Sequence, residues 1–295
     1  MGALVLVSTP SFLSNHRGCP YNGREPVGAT PVVAQETRHL PQFKHQISMK
    51  ITLGVVPYLN ALPLYHTLRE NPEIEIVRAV PSQLARGLDA GHFDAALLPV
   101  VDTFRGHGDG ILGDAIIGAT GQVRSVLLFS KVPLEQIQSV ALDTSSHSSV
   151  ALLRVIFKKF AQIAPKFSHH EPNLAAMLEN HDAALLIGDP ALRENTQKCP
   201  HLIFDLAKIW RNHTELPFVF AAWTARKNLE NREEIARILD EARDEGETKI
   251  AQIAAHLEPR DWRETVESYL REAIDFRLTP AHREGMGKFR DLIFK

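Results

Sequence analysis

The stretch His92-Phe93-Asp94-Ala95-Ala96-Leu97-Leu98 returns, one residue shorter, as His181-Asp182-Ala183-Ala184-Leu185-Leu186. Each copy carries a short apolar run of the kind that forms a buried strand. The flanking order repeats as well. Ahead of the first copy the pattern predicts a strand over 51–56, a turn at Pro57-Tyr58-Leu59-Asn60 and a helix over 61–69. A strand over 74–79 and a helix over 83–90 follow, with Ser82 as N-cap. Ahead of the second copy it predicts a strand over 140–142, a hydroxyl-rich turn and a helix with Val150, Leu153, Phe157 and Phe160 on one face. A strand over 166–169 and a helix opened by Pro172-Asn173 complete the unit. A β-α-β-α-β order found twice predicts two similar α/β lobes.

The 295 residues suit one or two domains, and a net charge of -2 offers no basic field for nucleic acid or an anionic membrane surface. No apolar run approaches the ~18 residues of a membrane-spanning helix. Cys19 and Cys199 lie outside any C-x-x-C pattern, so a reducing compartment fits. Residues 1–48 start apolar without a basic region and continue without periodicity, a poor match to a signal peptide. They are expected to be a disordered extension or a mis-assigned start, with Met49 as the natural beginning.

Between the lobes, Gly118-Ala119-Thr120-Gly121 suits a hinge or crossover, and a strand is predicted over 126–130. The apolar run over 216–223 is expected beside that strand, carrying the chain back. Residues 229–295 read as amphipathic helices whose role is packing. This division gives a first lobe of 49–120 plus 225–295 and a second of 121–224. A ligand is expected in the cleft between lobes, where α/β sheets commonly bind small molecules.

The stretch from Ser139 to Arg154 carries the chemistry. Asp143, Thr144, Ser145 and Ser146 are all good N-cap types at the start of a helix. A helix N-terminus surrounded by hydroxyls accepts a carboxylate or phosphate without Lys or Arg. An over-capped helix start explains the same residues. Asn60, Ser82, Ser125 and Asp189 are further polar groups at strand-to-helix turns, and Asp189 is open to a plain helix-cap role. Arg124 either pairs with an acid in the cleft or sits solvated. No nucleotide loop or nucleophile elbow is present. His169 and His170 alternate faces on a strand, so they are poorly placed to share a metal ion with Glu171. No metal or cofactor is expected. The inventory suits a small polyanionic organic ligand held by hydroxyls, amides and backbone N–H groups.

Five ordered motifs resemble those of chorismate dehydratases of the futalosine route to menaquinone. They are Asp143-Thr-Ser-Ser-x-Ser-Ser-Val-Ala-Leu-Leu-Arg, Leu186-Ile-Gly-Asp-Pro-Ala-Leu, Val123-Arg-Ser-Val-Leu-Leu-Phe-Ser-Lys, Tyr58-Leu-Asn with Leu62-Pro-Leu, and Leu216-Pro-Phe-Val-Phe-Ala. The resemblance covers residues 49–295. It implies a two-lobed periplasmic-binding-protein-like fold of the flytrap kind in a cytoplasmic hydro-lyase. The implied reaction turns chorismate into 3-[(1-carboxyvinyl)oxy]benzoate plus water, with a substrate carboxylate as proton acceptor. It implies Asn60 as the active-site asparagine, with Tyr58, Ser125, Thr144, Ser145, Ser146, Gly188 and Asp189 along the substrate cleft, beside Ser82. His147 stands where arginine is expected. Two other readings share the fold: a transporter's solute-binding protein and the naphthoate-forming enzyme of the same pathway.

Overall fold

A computed structural model of the chain describes residues 50–143, 145–196 and 199–295. The expectations for residues 1–48 and for Thr144 lie outside the described residues. In chain order, β1 (Ile51–Val55), α1 (Leu62–Tyr65), β2 (Ile74–Arg78), α2 (Pro81–Asp89) and β3 (Ala95–Pro99) come first. They are followed by α3 (Val100–Phe104), β4 (Ile111–Ala119), β5 (Val126–Ser130), β6 (Ser139–Asp143), α4 (His147–Val155) and β7 (Lys166–His170). Next come α5 (Leu174–Glu179), β8 (Ala183–Ile187), α6 (Asp189–Asn195), β9 (Leu202–Asp205) and α7 (Leu206–Thr214). The remainder is β10 (Phe218–Ala225), α8 (Arg232–Thr248), α9 (Ile250–Ala255), α10 (Arg263–Glu272), β11 (Asp275–Arg277) and α11 (Pro280–Phe294).

The strands form two sheets, ordered β11-β4-β10-β3-β1-β2 and β7-β6-β8-β5-β9. The repeated sequence has a repeated structural role. β1 pairs in parallel with β2 and β3, as β6 does with β7 and β8. β3 then takes an antiparallel neighbour in β10, and β8 takes one in β5. Registers correspond: Leu53 faces Ala95 and Gly54 faces Ala96, while Val140 faces Ala183 and Ala141 faces Ala184. The aspartate before each Ala-Ala pins the start of the first strand. Asp94 Oδ2 accepts the Thr52 N–H at 2.9 Å, and Asp182 Oδ2 accepts the N–H groups of Gln138 at 2.9 Å and Ser139 at 3.0 Å. Backbone donors at a strand start need such partners when water is excluded.

Four expectations are corrected. The strand Phe218–Ala225 does not lie beside Val126–Ser130; it pairs with β3 and β4 in the first sheet. A strand buried along its length fits any central position, so its composition does not choose a neighbour. Gly118 and Ala119, expected in a hinge or crossover, are the last residues of β4, whose glycines hid its strand character. Gly113 there has φ +69°, and an added Cβ would meet the Asp240 carboxylate at 2.9 Å. Ser82 is not a cap: Val80 is the N-cap of α2 and Pro81 opens the helix. The expected helix over 61–69 is instead a single short α-helical turn between two 3₁₀ turns. The C-terminal region is helical except for β11, which pairs with β4.

The chain leaves the first sheet after β4 and returns at β10, so the second sheet is built between two crossings. Phe289 of α11 packs at the return crossing, with ring centroids 4.7 Å from Phe218 and 5.8 Å from Trp210 of α7. No described helix is long and apolar enough to cross a membrane. Helix α8 approaches α1 so closely that a Cβ on Gly246 would meet the Pro63 carbonyl oxygen at 1.8 Å. Gly246→Ala is therefore expected to lower the unfolding free energy by about 3 kcal/mol, the upper end of ordinary overpacking costs; urea denaturation measures it.

Candidate functional site

The equivalent strand-to-helix turns of the two lobes meet. After β1 the chain turns through Tyr58-Leu59-Asn60. After β6 it turns into α4, whose N-cap is Ser146; the Ser146 Oγ accepts from the Ser149 N–H at 3.4 Å and the Ser149 hydroxyl at 3.1 Å. Asp143 fixes this second turn. It is 2% exposed, and its two oxygens accept the Ser145 N–H at 2.9 Å and the Ile187 N–H at 3.0 Å. Burial raises its proton affinity above the ordinary carboxylate level, and these bonds oppose that rise.

Beyond Ile187, Gly188 has φ +70° and its Cα faces the Tyr58 ring; an added Cβ would sit 3.2 Å from it. The Gly188 N–H donates to the Ser125 carbonyl at 2.7 Å. Asp189 Oδ1 then accepts the Leu59 N–H at 3.2 Å, joining the start of α6 to the opposite lobe. Burial pushes the Asp189 pKa up to about 6. A second clasp lies across α3 and α4. The Val101 N–H donates to Ser148 Oγ at 3.3 Å, and His147 Nδ1 lies 2.8 and 2.9 Å from the two oxygens of buried Asp102. The hydrogen bond to Asp102 raises the His147 pKa.

Arg124 belongs to the crossover. With φ 60°, it donates its N–H to Asp205 at 2.8 Å and its guanidinium to Glu272 at 2.7 Å and Ser268 at 3.0 Å. Both side-chain partners sit on α10. The next residue, Ser125, places its hydroxyl 2.8 Å from that of Tyr269 on the same helix. Burial raises the Tyr269 phenol's pKa well above its ordinary value.

These elements enclose a cavity with about 510 Å³ of empty space, part of it open to solvent. Its polar groups are Tyr58, Asn60, Ser125, Ser145, Ser146 and Ser149, with Gly188 at the rim. Its walls include Val56, Leu97, Pro99, Ile117, Val126 and Phe220. None of its described lining residues is Asp, Glu, Lys, Arg or His. Two lining atoms, Asn60 Oδ1 and Ser145 Oγ, are buried without a hydrogen-bond partner. A buried orphan of this kind costs about 1–3 kcal/mol, which a ligand with matching polar groups offsets.

The structure thus brings together Tyr58, Asn60, Ser125, Ser145, Ser146 and Gly188. Ser82 is exposed, and its neighbour Pro81 lines the cavity instead. Asp189 holds Leu59 and borders a separate cavity behind α6. Sequence reasoning missed Ser149, Phe220 and Tyr269. Ser149 lies within the quoted Ser-rich motif, whereas nothing local distinguishes Tyr269 from a core aromatic.

Residues 51–295 match the model of a family described as menaquinone biosynthesis. Over 219 residues the chain is 34% identical to the chorismate dehydratase of Thermus thermophilus, covering 68% of this chain and 79% of that protein. Over 178 residues it is 30% identical to the chorismate dehydratase of Campylobacter jejuni, covering 58% of this chain and 66% of that one. The periplasmic aliphatic sulphonate binding protein of Escherichia coli superposes with a TM-score of 0.57 at 18% identity, covering 83% of this chain and 91% of that one. A Candida albicans protein described as having the generic periplasmic binding protein fold gives a TM-score of 0.54 at 14% identity, covering 83% and 90%. The fold is the expected two-lobed one.

Asp143→Asn keeps one acceptor for two backbone donors, one of them fully buried, so it is expected to cost about 1–3 kcal/mol in chemical denaturation. The His147 contact gives a signed pH effect. Its pKa is raised on folding, so its stabilisation is complete below the unfolded imidazole value, about 6.5. It is lost as pH rises through the folded value. Thermal unfolding as a function of pH is expected to show this decline in the native chain, and a flatter profile over the same range in His147→Gln.

Proposed function

Because this chain belongs to the menaquinone biosynthesis family, we propose that it is a chorismate dehydratase, a hydro-lyase. In this reading it releases water from chorismate and forms 3-[(1-carboxyvinyl)oxy]benzoate. The observation that carries the reading at the level of the site is the pair of unpartnered atoms, Asn60 Oδ1 and Ser145 Oγ, buried in a cavity lined without charged side chains.

Chorismate supplies what this cavity lacks. Its two carboxylates suit the N–H groups at the start of α4 and the surrounding serine hydroxyls, where the helix dipole favours negative charge. Its ring hydroxyl is a donor for Asn60 Oδ1. The apolar walls, Leu97 and Phe220 among them, accept the ring. Removing the hydroxyl with a neighbouring ring proton makes the ring aromatic, so the reaction carries its own driving force. The protein's part is to hold one conformer, orient the leaving hydroxyl and exclude water. Among the described lining residues only Tyr58 has an ionisable side chain, and burial raises its pKa. In this reading a substrate carboxylate takes the ring proton, as the family resemblance implies, and a lining without Asp, Glu, Lys, Arg or His among the described residues supports it. On the same reading Thr144 binds substrate, Asp189 acts by holding the Leu59 turn, and the enzyme works in the cytoplasm.

Incubating the purified protein with chorismate and separating the products by chromatography and mass spectrometry tests the reading. The expected result is a new aromatic species lighter than chorismate by one water. Asn60→Ala is expected to lower kcat by about a hundredfold or more, the scale of losing one well-placed polar group. Binding without turnover in the native chain would favour a receptor.

A further inference from the structure

Helix α4 borders two different cavities. Ser149 lines the central one, whereas His147, Val150, Ala151 and Arg154 line a groove of their own. Those four positions share one stripe of the helix. Arg105, the C-cap of α3, and His169 of β7 complete the lining. The groove has about 520 Å³ of empty space, part of it open to solvent, and its described lining includes no Asp or Glu.

The two arginines are charged at any physiological pH, and the two histidines add nitrogen donors or acceptors. Among the described residues one acid pairs with this set. Asp102, 2% exposed, lies 2.8 Å from His147 Nδ1 and 3.7 Å from an Arg105 nitrogen. Arg154 has no described carboxylate within ion-pair distance; its guanidinium lies over the Phe167 ring, 4.3 Å from the centroid. Stacking of this kind holds the guanidinium plane and leaves its N–H edge free. The groove therefore carries excess positive charge in a chain whose net charge is -2. Its floor between the basic ends is small and apolar, formed by Val150 and Ala151. His147 and Arg154 are seven residues apart, about 10 Å along the helix. A single compact ion does not answer both ends; two negative groups on an apolar body do.

We propose that this groove binds an organic dianion, one negative group paired with Arg105 beside His147 and the other with Arg154. Arg105 belongs to α3 and Arg154 to α4, so the occupant reinforces the clasp that Asp102 and His147 make between the same helices. The site is separate from the central cavity and does not depend on the reaction assigned there.

Adipate, with four methylene groups between two carboxylates, is the probe. Isothermal titration calorimetry at neutral pH and low ionic strength is expected to show it binding at least about tenfold more tightly than hexanoate, which matches its length but carries one carboxylate. Arg105→Gln and Arg154→Gln, both at exposed positions, are each expected to weaken adipate about tenfold, the scale of losing one charge-assisted hydrogen bond. Ser146→Ala, in the central cavity, is expected to leave adipate binding unchanged. Saturating adipate is expected to raise the thermal midpoint of the native chain and not that of Arg154→Gln. No adipate binding, equal binding of adipate and hexanoate, or an affinity unmoved in both arginine variants overturns the proposal. So does binding that is lost in Ser146→Ala and kept in Arg154→Gln, which puts the dianion in the central cavity. A chain that binds adipate through the two arginines but leaves chorismate unconverted loses the assigned reaction and keeps the groove.

Discussion

Asp143 is a carboxyl side chain where water barely reaches, and the two backbone N–H groups it accepts come from different segments. One belongs to the turn that starts α4, the other to the last residue of β8. The position of Ser145 and Ser146 relative to Gly188 follows from that bridge. So does the face that the second lobe turns toward Tyr58 and Asn60. An isolated buried carboxylate would be costly, and this one is retained because its partners would themselves be orphaned without it. The cavity beside this turn is lined by hydroxyls, one amide and apolar walls. Preorganised dipoles replace charged side chains, and their orientation matters more than their number.

The duplicated architecture was legible because its signal is chemical as well as periodic. Asp94 and Asp182 each begin a third strand and each tie down a first strand, so the same local chemistry left the same residues at both places. The turns bearing Asn60 and Ser145 were legible for a related reason: small polar residues at a strand end announce a turn that needs capping or a ligand. What stayed hidden depends on residues far apart in sequence. The partner of β10 is chosen by the route of the chain, not by its apolar composition. His147 reads as a surface helix start until Asp102 is placed 2.8 Å away. Tyr269 lies 144 positions from Ser125 and has the sequence context of any buried aromatic.

Receptors and enzymes share this fold, so architecture alone assigns neither. Three of the contacts that join the lobes are Leu59 with Asp189, Val101 with Ser148 and Asp102 with His147. Two of the three involve a titratable side chain, and all three flank the cavity or the helix that starts beside it. Closure and the geometry of the polar groups are consequently one event: separating the lobes pulls the Ser-rich turn away from Asn60.

The second lobe hangs from neighbouring strands. β4 leaves the first sheet at Ala119 and β10 returns at Phe218, and these two residues face each other in the ladder. Two strands joined by a hydrogen-bonded ladder act as one ribbon and not as two separate tethers. The lobes are thus coupled like the covers of a book on one spine. The turn bearing Asn60 and the turn bearing Ser145 and Ser146 are carried by two lobes that share one seam, the Ala119–Phe218 pair.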